Sequence, residues 1–504
     1  MTAFSIDGMF SDHMVLRHSR LNPVWGTAEP GHKVTVRLPG AERTCVTDGK
    51  GSWLVWLPAP SAGTIAQMEI FCGEERILLD DVACGEVWLA GGQSNMEQPL
   101  MCMAGANPWA EAAERTQVRL KRIPRRCQAR RQAGWHFYPS ENEDTPWQRA
   151  DRDSAATFSA IGYVFAARLA QRLQMPVGII ECNWGGTKIQ CWLPTEELKA
   201  REDTRRDLEE YLAVRDALGE RAHQLLTEYE RTVRQAMKNE PDFIARNLED
   251  PLNFLREDRH IAFIPLGGEG DPQMPGALFD HMTARVAPYG LSGVLWYQGE
   301  ANAFYPEEAA RYGKLFGRLL DCWRDAWMEP ALPFLTCQLA PFEASMYVGK
   351  PDWPCLRAQQ QRCMEKYAHV SMAILADVGM ERNIHPLYKE PVADRLCRLA
   401  LEDVYGIPAQ AHAARPVGHT WTTEGIQLHF NGPVELREGE RPCLWAADGL
   451  QNCRPEQQSP DTLLFPGASI TGNGTAIAYG QKNWFVPGVF DLSGLPVAPF
   501  VHRC

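Results

Sequence analysis

The chain has 504 residues, of which 45% are hydrophobic and 23% are charged, a balance typical of a soluble globular protein with about two to four domains. The net charge of −12 and the lack of a basic run argue against a nucleic-acid partner. No apolar stretch reaches the roughly 18 residues of a membrane span, so we expect no membrane partner either.

The first residues and the cysteines indicate where the protein works. The segment from Met1 to Asp7 lacks the basic and apolar parts of a secretory signal. The 15 cysteines are odd in number and scattered, and the sequence has no C-x-x-C pair or Cys/His ligand cluster. We therefore expect no structural zinc, no cofactor and buried reduced thiols such as Cys182 and Cys337. This usage favours a reducing compartment and predicts a cytoplasmic protein.

Residues 1–80 have the pattern of short β-strands. Apolar and polar residues alternate at 34–38 and 53–57, and turn residues separate the stretches, as at 48–51. We predict an N-terminal β-sandwich-like domain over 1–80.

From residue 81 helical patterns alternate with apolar strands. One face of a helix is apolar over 158–174, and Pro176 ends it. Near-continuous apolar strands of this kind imply a parallel sheet covered by helices on both faces, an α/β domain over 81–410. The predicted strands are 86–90, 177–182, 293–297, 334–337 and 370–375.

Two further segments complete the predicted organisation. Residues 196–247 are charged and helical, with an apolar stripe at Ala222, Leu225, Tyr229, Val233 and Ala236. They predict an inserted helical hairpin, which is a lid, an oligomer contact or simply a solvated excursion. Residues 411–504 return to strands, as at 426–430, 434–436 and 475–479, and predict a C-terminal β module.

A serine follows the strand predicted at 86–90, in Gly91-Gly92-Gln93-Ser94-Asn95-Met96. The alternative interpretation is a glycine-rich loop in which Ser94 caps a helix. Three more polar loops follow predicted strands, at 183–187, 298–302 and 377–386. Parallel strands point the same way, so these loops are expected at one edge of the sheet, the arrangement that an acyl-transfer site needs.

Several ordered motifs together resemble one family. They are Gly92-Gln93-Ser94-Asn95-Met96, Trp184-Gly185-Gly186-Thr187, Trp296-Tyr297-Gln298-Gly299-Glu300, and Ile384-His385-Pro386 with Lys389. Further similar short stretches occur along the chain, the first at 12–16 and the last at 499–500. Together the motifs and these stretches resemble the sialate O-acetylesterase family of SGNH/GDSL hydrolases over nearly the whole chain except the charged insert. The resemblance implies a flavodoxin-like three-layer hydrolase domain with a parallel sheet and metal-free removal of acetyl groups from sugars.

The resemblance also assigns the reacting groups. Ser94 matches the nucleophile, an alcohol that attacks only when a neighbouring base takes its proton. His385 matches that base, because imidazole titrates near working pH and can return the proton to the sugar oxygen. The alternative for His385 is a purely structural histidine.

The tetrahedral intermediate needs hydrogen-bond donors aimed at its oxyanion. We predict the backbone N–H of Ser94, the backbone N–H of Gly185 or Gly186, and the side-chain amide of Gln298. The alternatives are a tight turn at the two glycines and a loop-bracing role for Gln298. Glu300 either binds a sugar hydroxyl or, as we favour, braces its own loop. Trp88, Trp184, Trp192 and Tyr297 are expected in the core, with sugar stacking as their alternative.

The chain departs from the family at the acid. The family commonly has an aspartate just before the histidine, where this chain has Arg382-Asn383. Asn383 can accept a hydrogen bond from the imidazole but supplies no charge. Either Asp377, Glu381 or Glu300 supplies the acid, or the site works as a Ser–His dyad oriented by a carbonyl, which we favour.

The predicted function is a serine esterase that removes O-acetyl groups from carbohydrates through an acetyl-serine intermediate. Acetylated sialic acid is the first substrate expected, and acetylated xylo- or manno-oligosaccharides are the alternative. A catalytically weak homologue that only binds glycans is the rival. The natural sugar, the acetyl position and the formation of a homo-oligomer stay open.

Overall fold

The computed structural model describes residues 3–126, 145–218, 271–344, 350–446, 449–451, 454–466 and 475–504. Its strands, β1 to β24 in chain order, are Ser5–Ile6, Val15–Arg17, Leu21–Thr27, Lys33–Leu38, Ala41–Val46, Ser52–Pro58, Ile65–Cys72, Glu75–Gly92, Val118–Arg122, Gln148–Arg149, Val177–Asn183, Gly293–Tyr297, Phe334–Cys337, Val370–Ala373, Pro416–Trp421, Gly425–Phe430, Val434–Leu436, Cys443–Ala446, Gly449–Gln451, Glu456–Ser459, Thr462–Pro466, Ala476–Tyr479, Val489–Asp491 and Phe500–Arg503. Its α-helices, α1 to α11, are Ser94–Glu97, Ala106–Glu111, Arg152–Thr157, Ala160–Leu173, Thr195–Ala200, Glu202–Leu218, Ala284–Val286, Glu300–Ala303, Pro306–Trp327, Trp353–Lys366 and Glu390–Leu399.

The described residues fall into two compact units. The first holds 3–126, 145–218, 271–298 and 315–334, and the second holds 299–314 and the described residues from 335 to 504. None of the described helices is both long enough and apolar enough to cross a bilayer.

The first unit contains part of the parallel sheet that the sequence predicts, namely the strands at 86–90, 177–182 and 293–297. Strands β9, β11, β8 and β12 are neighbours in that order, and each of the three pairings is parallel. Strands β11 and β12 are buried along their whole length, as expected when both faces of a sheet are covered. Helix α4 packs against β11 and confirms the predicted helix. It begins where the Ser159 hydroxyl accepts a hydrogen bond from the Gly162 N–H at 3.0 Å.

The central strand β8 is far longer than the strand predicted at 86–90. It runs for 18 residues, and its first part pairs with β7 and β2 while its last part pairs with β11 and β12. Burial changes along it, from partly exposed positions to continuous burial from Val82 onward. One continuous strand therefore includes both the partly exposed residues at its start and the buried residues that the sequence predicts as a strand. The predicted domain boundary at 80 falls inside this strand and stays a prediction.

Other predicted strands are confirmed with small changes in length. In the first unit β4 and β6 cover the alternating stretches at 34–38 and 53–57. In the second unit β16, β17 and β22 cover the predicted C-terminal strands, while β14 ends at Ala373, two residues before the predicted end. The C-terminal strands share an apolar core that includes Ile426, Leu463 and Ile477.

The charged insert is described only in part. Helices α5 and α6 confirm its helical character up to Leu218. The apolar stripe predicted from Ala222 to Ala236 lies outside the described residues. The fold class is thus mixed α/β with several sheets, as predicted at that level.

Gly92 shows why the strand must end in a glycine. Its φ of +129° lies where residues with side chains rarely go, and a Cβ built there would be 2.1 Å from the carbonyl oxygen of Tyr297 on β12. The two strands therefore approach one another at Gly92 so closely that a residue with a side chain would not fit there.

We expect Gly92→Ala to lower the free energy of unfolding by more than about 3 kcal/mol, because backbone strain adds to a clash with a fixed carbonyl. Gly105→Ala is the matched control, since Gly105 also has a positive φ of +78° but has nothing within 4 Å of its Cβ position. The control should lose only about 1–2 kcal/mol in urea denaturation. Equal losses in the two variants would show that the close approach is unimportant.

Candidate active site

Ser94 lies at the carboxyl end of β8, as the first residue of the short helix α1. The position before it, Gln93, is the N-cap, and its side chain makes no capping hydrogen bond. The alternative in which Ser94 caps the helix is therefore wrong. The backbone N–H of Gln93 donates to the Tyr297 carbonyl at 3.0 Å and ties the turn to β12. Ser94 is 5% exposed, so its surroundings are fixed by packing.

Glu97 joins the serine helix to the glycine loop that follows β11. Its Oε2 accepts a hydrogen bond from the backbone N–H of Gly185 at 2.5 Å, and its Oε1 is 3.3 Å from the Arg125 guanidinium. A Cβ on Gly185 would lie 2.9 Å from that carboxylate and 3.3 Å from the Cβ of Ser94. Gly185 is thus a close-approach glycine beside the serine. Of the two predicted glycine donors, the N–H of Gly185 is bound by Glu97, which leaves Gly186 as the donor to consider.

Arg125 extends this contact into a buried charged network. Its guanidinium donates to the backbone oxygen and to the side-chain oxygen of Asn183, each at 3.2 Å, and lies 3.4 Å from Glu181. Glu181 also pairs with Arg122 at 3.1 Å. Buried charges of this kind persist when each is paired and hydrogen-bonded. Sequence reasoning missed Glu97 and Arg125, although an acidic residue three positions after Ser94 was a signal.

Gln298 connects two of the loops. It is fully buried, and its Nε2 donates to Gln93 Oε1 at 3.2 Å and to the Thr187 carbonyl at 3.1 Å. These contacts are those of the bracing alternative. An amide nitrogen has two hydrogens, so donation to an oxyanion would require one of these bonds to be given up.

The four aromatic residues near the loops belong to the core. Trp88, Trp184, Trp192 and Tyr297 are each 1% exposed or less. Their predicted core role is confirmed, and rings buried to this extent cannot stack on a sugar.

His385 lies in the second unit, after β14, and is 8% exposed. The Asn383 side-chain oxygen accepts a hydrogen bond from the backbone N–H of His385 at 2.9 Å. Asn383 thus fixes the histidine through its backbone, as in an Asx turn. The predicted hydrogen bond from the imidazole N–H to Asn383 is a separate contact and stays a prediction.

Burial and a neighbouring positive charge both favour the neutral form of the His385 ring. Burial first, and then the charge of Lys389, lower the pKa of His385 from its usual 6.5 to about 3. Lys389 is itself buried, and burial lowers the pKa of its ammonium group to about 7 in spite of the attraction of Glu300. Glu300, which is 3% exposed at the start of α8, therefore balances the buried lysine. This fits the bracing role favoured for Glu300.

The other proposed acids are placed differently. Both oxygens of Asp377 are bound by Arg395, each at 2.7 Å, in a bidentate ion pair. Glu381 is exposed, in contrast to the buried ring that it would have to orient. Arg357 could pair with a substrate carboxylate only if it were accessible, but it is 1% exposed and donates to the backbone oxygens of Gly480, at 3.1 Å, and of Lys482.

The predicted site residues are thus divided between the two units. The first holds Ser94, Gly185, Gly186 and Gln298, which are gathered by Glu97 and by loop hydrogen bonds. The second holds His385, Asn383, Asp377, Glu381 and Glu300. The approach of Ser94 to His385 stays a prediction.

Known proteins resemble the chain over its whole length. The sialate O-acetylesterases of Rattus norvegicus and Homo sapiens are each 24% identical over 99% of this chain, covering 94% and 92% of those proteins. A crystal structure of a carbohydrate acetylesterase from Xanthomonas citri superposes with a TM-score of 0.74 at 24% identity, and each chain is covered to 99%. That likeness shows a shared fold.

The family itself follows from a sequence model. The model described as "carbohydrate esterase, sialic acid-specific acetylesterase" matches residues 84–211 and 257–385, about half of the chain. These ranges contain Ser94, both glycines, Gln298 and His385, so the resemblance predicted from the motifs is confirmed. The chain therefore belongs to the family of sialic acid-specific acetylesterases and is a carbohydrate esterase.

Proposed function

We propose that the protein removes O-acetyl groups from carbohydrates through an acetyl-enzyme intermediate on Ser94. The observation that carries this proposal is the place of Ser94, which lies at the carboxyl end of a buried parallel strand and beside a glycine loop held by Glu97. Ligands of open α/β sheets bind at this edge.

In the proposed reaction the Ser94 oxygen attacks the acetyl carbonyl while His385 accepts the hydroxyl proton. The tetrahedral intermediate collapses when the protonated ring gives that proton to the departing sugar oxygen. Water then attacks the acetyl-serine while His385 takes a proton from it, and the ring returns that proton to the Ser94 oxygen as acetic acid leaves and ionises to acetate. A ring whose pKa is lowered to about 3 is neutral throughout the neutral range, and its lone pair is free of a proton before the reaction begins, although its basicity is reduced.

Two backbone amides are proposed to stabilise the oxyanion. They are the N–H groups of Ser94 and Gly186, because the N–H of Gly185 is already bound by Glu97. A preorganised donor of this type contributes a factor of about 10²–10³ in rate. Glu97 and Gln298 act one step away from the reaction, since they hold the serine turn and the glycine loop in register.

Acetylated sialic acid is the first substrate proposed, because the curated relatives carry that name. Acetylated xylo- and manno-oligosaccharides are the second. A glycan-binding protein with little activity is the rival, and one observation favours it: Asn383 holds His385 through the backbone, while Asp377 is committed to Arg395. The Ser–His dyad explains the same observation with activity retained.

The finer architecture and the location are also proposals. We infer a flavodoxin-like three-layer SGNH domain, supported by the parallel strands with α4 packed on β11. Residues 1–80 and 411–504 would be sandwich-like modules beside it, and the shared core of the C-terminal strands supports the second. Buried free thiols such as Cys182 and Cys337 suit a cytoplasmic location.

Ser94→Ala should reduce acetate release from an aryl acetate by at least about 10³-fold, because no other group replaces the nucleophile. Ser292→Ala is the control: that hydroxyl is buried as well but only accepts the Val87 N–H, at 3.0 Å. The control should keep its rate within about threefold. Equal, negligible release from wild type and Ser94→Ala, with acetylated sugar still bound, would favour the rival. Running the assay on acetylated sialic acids and on xylo- and manno-oligosaccharides ranks the substrates.

Glu97→Gln should lower kcat about tenfold and leave KM within about twofold, because the glycine loop loses its charged acceptor while the sugar contacts are unaffected. Glu181→Gln is the matched control, since Glu181 pairs with the same Arg125 but does not bind the Gly185 N–H. Its kcat should stay near that of wild type. If both variants lose kcat in proportion to their thermal stability, Glu97 has only a structural role.

The pH profile tests the charges at His385. Because the base works when it is neutral, kcat/KM of the wild type should stay level from about pH 7 to about pH 5 and fall only on approach to the lowered pKa of His385. Lys389→Met removes the smaller of the two causes and leaves burial in place, so the pKa of His385 should rise in part and the fall in kcat/KM should begin at a higher pH than in the wild type. Lys366→Met, an exposed lysine of the same unit, should leave the profile unchanged. A wild-type midpoint at 6.5 would contradict the lowered pKa.

A further inference from the structure

A cluster of two histidines and a cysteine, none of them among the residues proposed for ester hydrolysis, lies among the C-terminal strands. In the described part of the chain it is the one group of three potential metal ligands whose ligand atoms all lie within 4.8 Å of one another. His419 is on β15, His502 is on β24, and Cys504 follows β24. The three side chains are partly buried, so an ion can reach them.

The two imidazoles face each other with the nitrogens that a metal would use. His419 Nδ1 lies 3.0 Å from His502 Nε2. Two nitrogens on one tetrahedral zinc ion, with bonds of about 2.0–2.1 Å, are about 3.3 Å apart, and a nitrogen and a thiolate sulfur are about 3.6 Å apart. The histidine pair is thus close to ligand spacing, and the sulfur, which lies within 4.8 Å of the nitrogens, would move closer when an ion binds.

The chemistry of the three groups selects a borderline-soft ion. Two imidazoles and one thiol form a donor set that suits Zn²⁺ and excludes Mg²⁺ and Ca²⁺, which prefer oxygen.

The two histidines of the cluster come from two different sheets. Strand β15 belongs to the sheet of β16, β21 and β20, whereas β24 belongs to the sheet of β19, β18 and β22. The backbone N–H of Cys504 donates to the Thr475 carbonyl at 2.9 Å, which fixes the position of the cysteine beside β22. An ion held by all three residues would cross-link the two sheets.

We propose that His419, His502 and Cys504 form a Zn²⁺ site that links the two C-terminal sheets, with a water molecule in the fourth position. The sequence conceals it, because the histidines are 83 positions apart and only the His-x-Cys pair is local. The alternative is a simple hydrogen bond between two imidazoles that binds no metal.

The test uses the full chain without an affinity tag, loaded with Co²⁺ as a coloured substitute and then with Zn²⁺. The wild type should show a cobalt–thiolate absorption band at about one equivalent, and Zn²⁺ should abolish it by displacing the cobalt. Cys504→Ser should lose the band. Cys443→Ser should keep it, because Cys443 is a partly buried thiol on β18, in the same sheet as β24 but outside the cluster.

The thermal midpoint with and without Zn²⁺ is a second measurement, which tests the site even if one of the cysteine variants folds poorly. Zn²⁺ should raise the thermal midpoint of the wild type and of His429→Gln, a control histidine bonded to Thr420 and Thr462, but not that of His419→Gln. No band in the wild type, a band that survives in Cys504→Ser, or equal zinc shifts in the two histidine variants would each overturn the proposal. Ester hydrolysis should be unchanged by chelation in every case.

Discussion

The hydrogen bond between the Glu97 carboxylate and the Gly185 backbone is the contact on which the arrangement around Ser94 depends. It joins two loops that follow different strands, and Arg125 holds the same carboxylate from the other side. A buried carboxylate is stable only when its charge is compensated, so the guanidinium and the amide are both required. The serine turn and the glycine loop are therefore set by one charged group that takes no part in the proposed bond making.

In the second unit the main electrostatic feature is a buried lysine beside His385. A base in a serine esterase normally gains from a nearby carboxylate, which stabilises its protonated form. Here His385 has a buried lysine beside it, and the lysine is balanced by Glu300 and not by the histidine. The ring is kept neutral at the expense of its basicity. Such a base suits a reaction in which the negative charge that stabilises the imidazolium develops on the substrate itself.

The sequence predicted the regular elements well because their signals are local. Helix α4 and strand β11 follow from apolar spacing and a terminating proline, all within a few residues. The contacts that shape the site are not local. Glu97 and Gly185 are 88 positions apart, and Gln298 meets Thr187 across 111 positions, so no spacing rule reveals them. Family motifs located these loops without showing which amide is already occupied.

The uninterrupted strand β8 has a consequence for how the protein is built. Its first part carries the N-terminal strands and its last part is the middle of the parallel sheet that ends at Ser94. A protease or a truncation that removed residues 1–80 would strip partners from the same strand that ends beside Ser94. The amino-terminal strands are accordingly a structural extension of the parallel sheet, and loosening them should also loosen the turn that holds the serine.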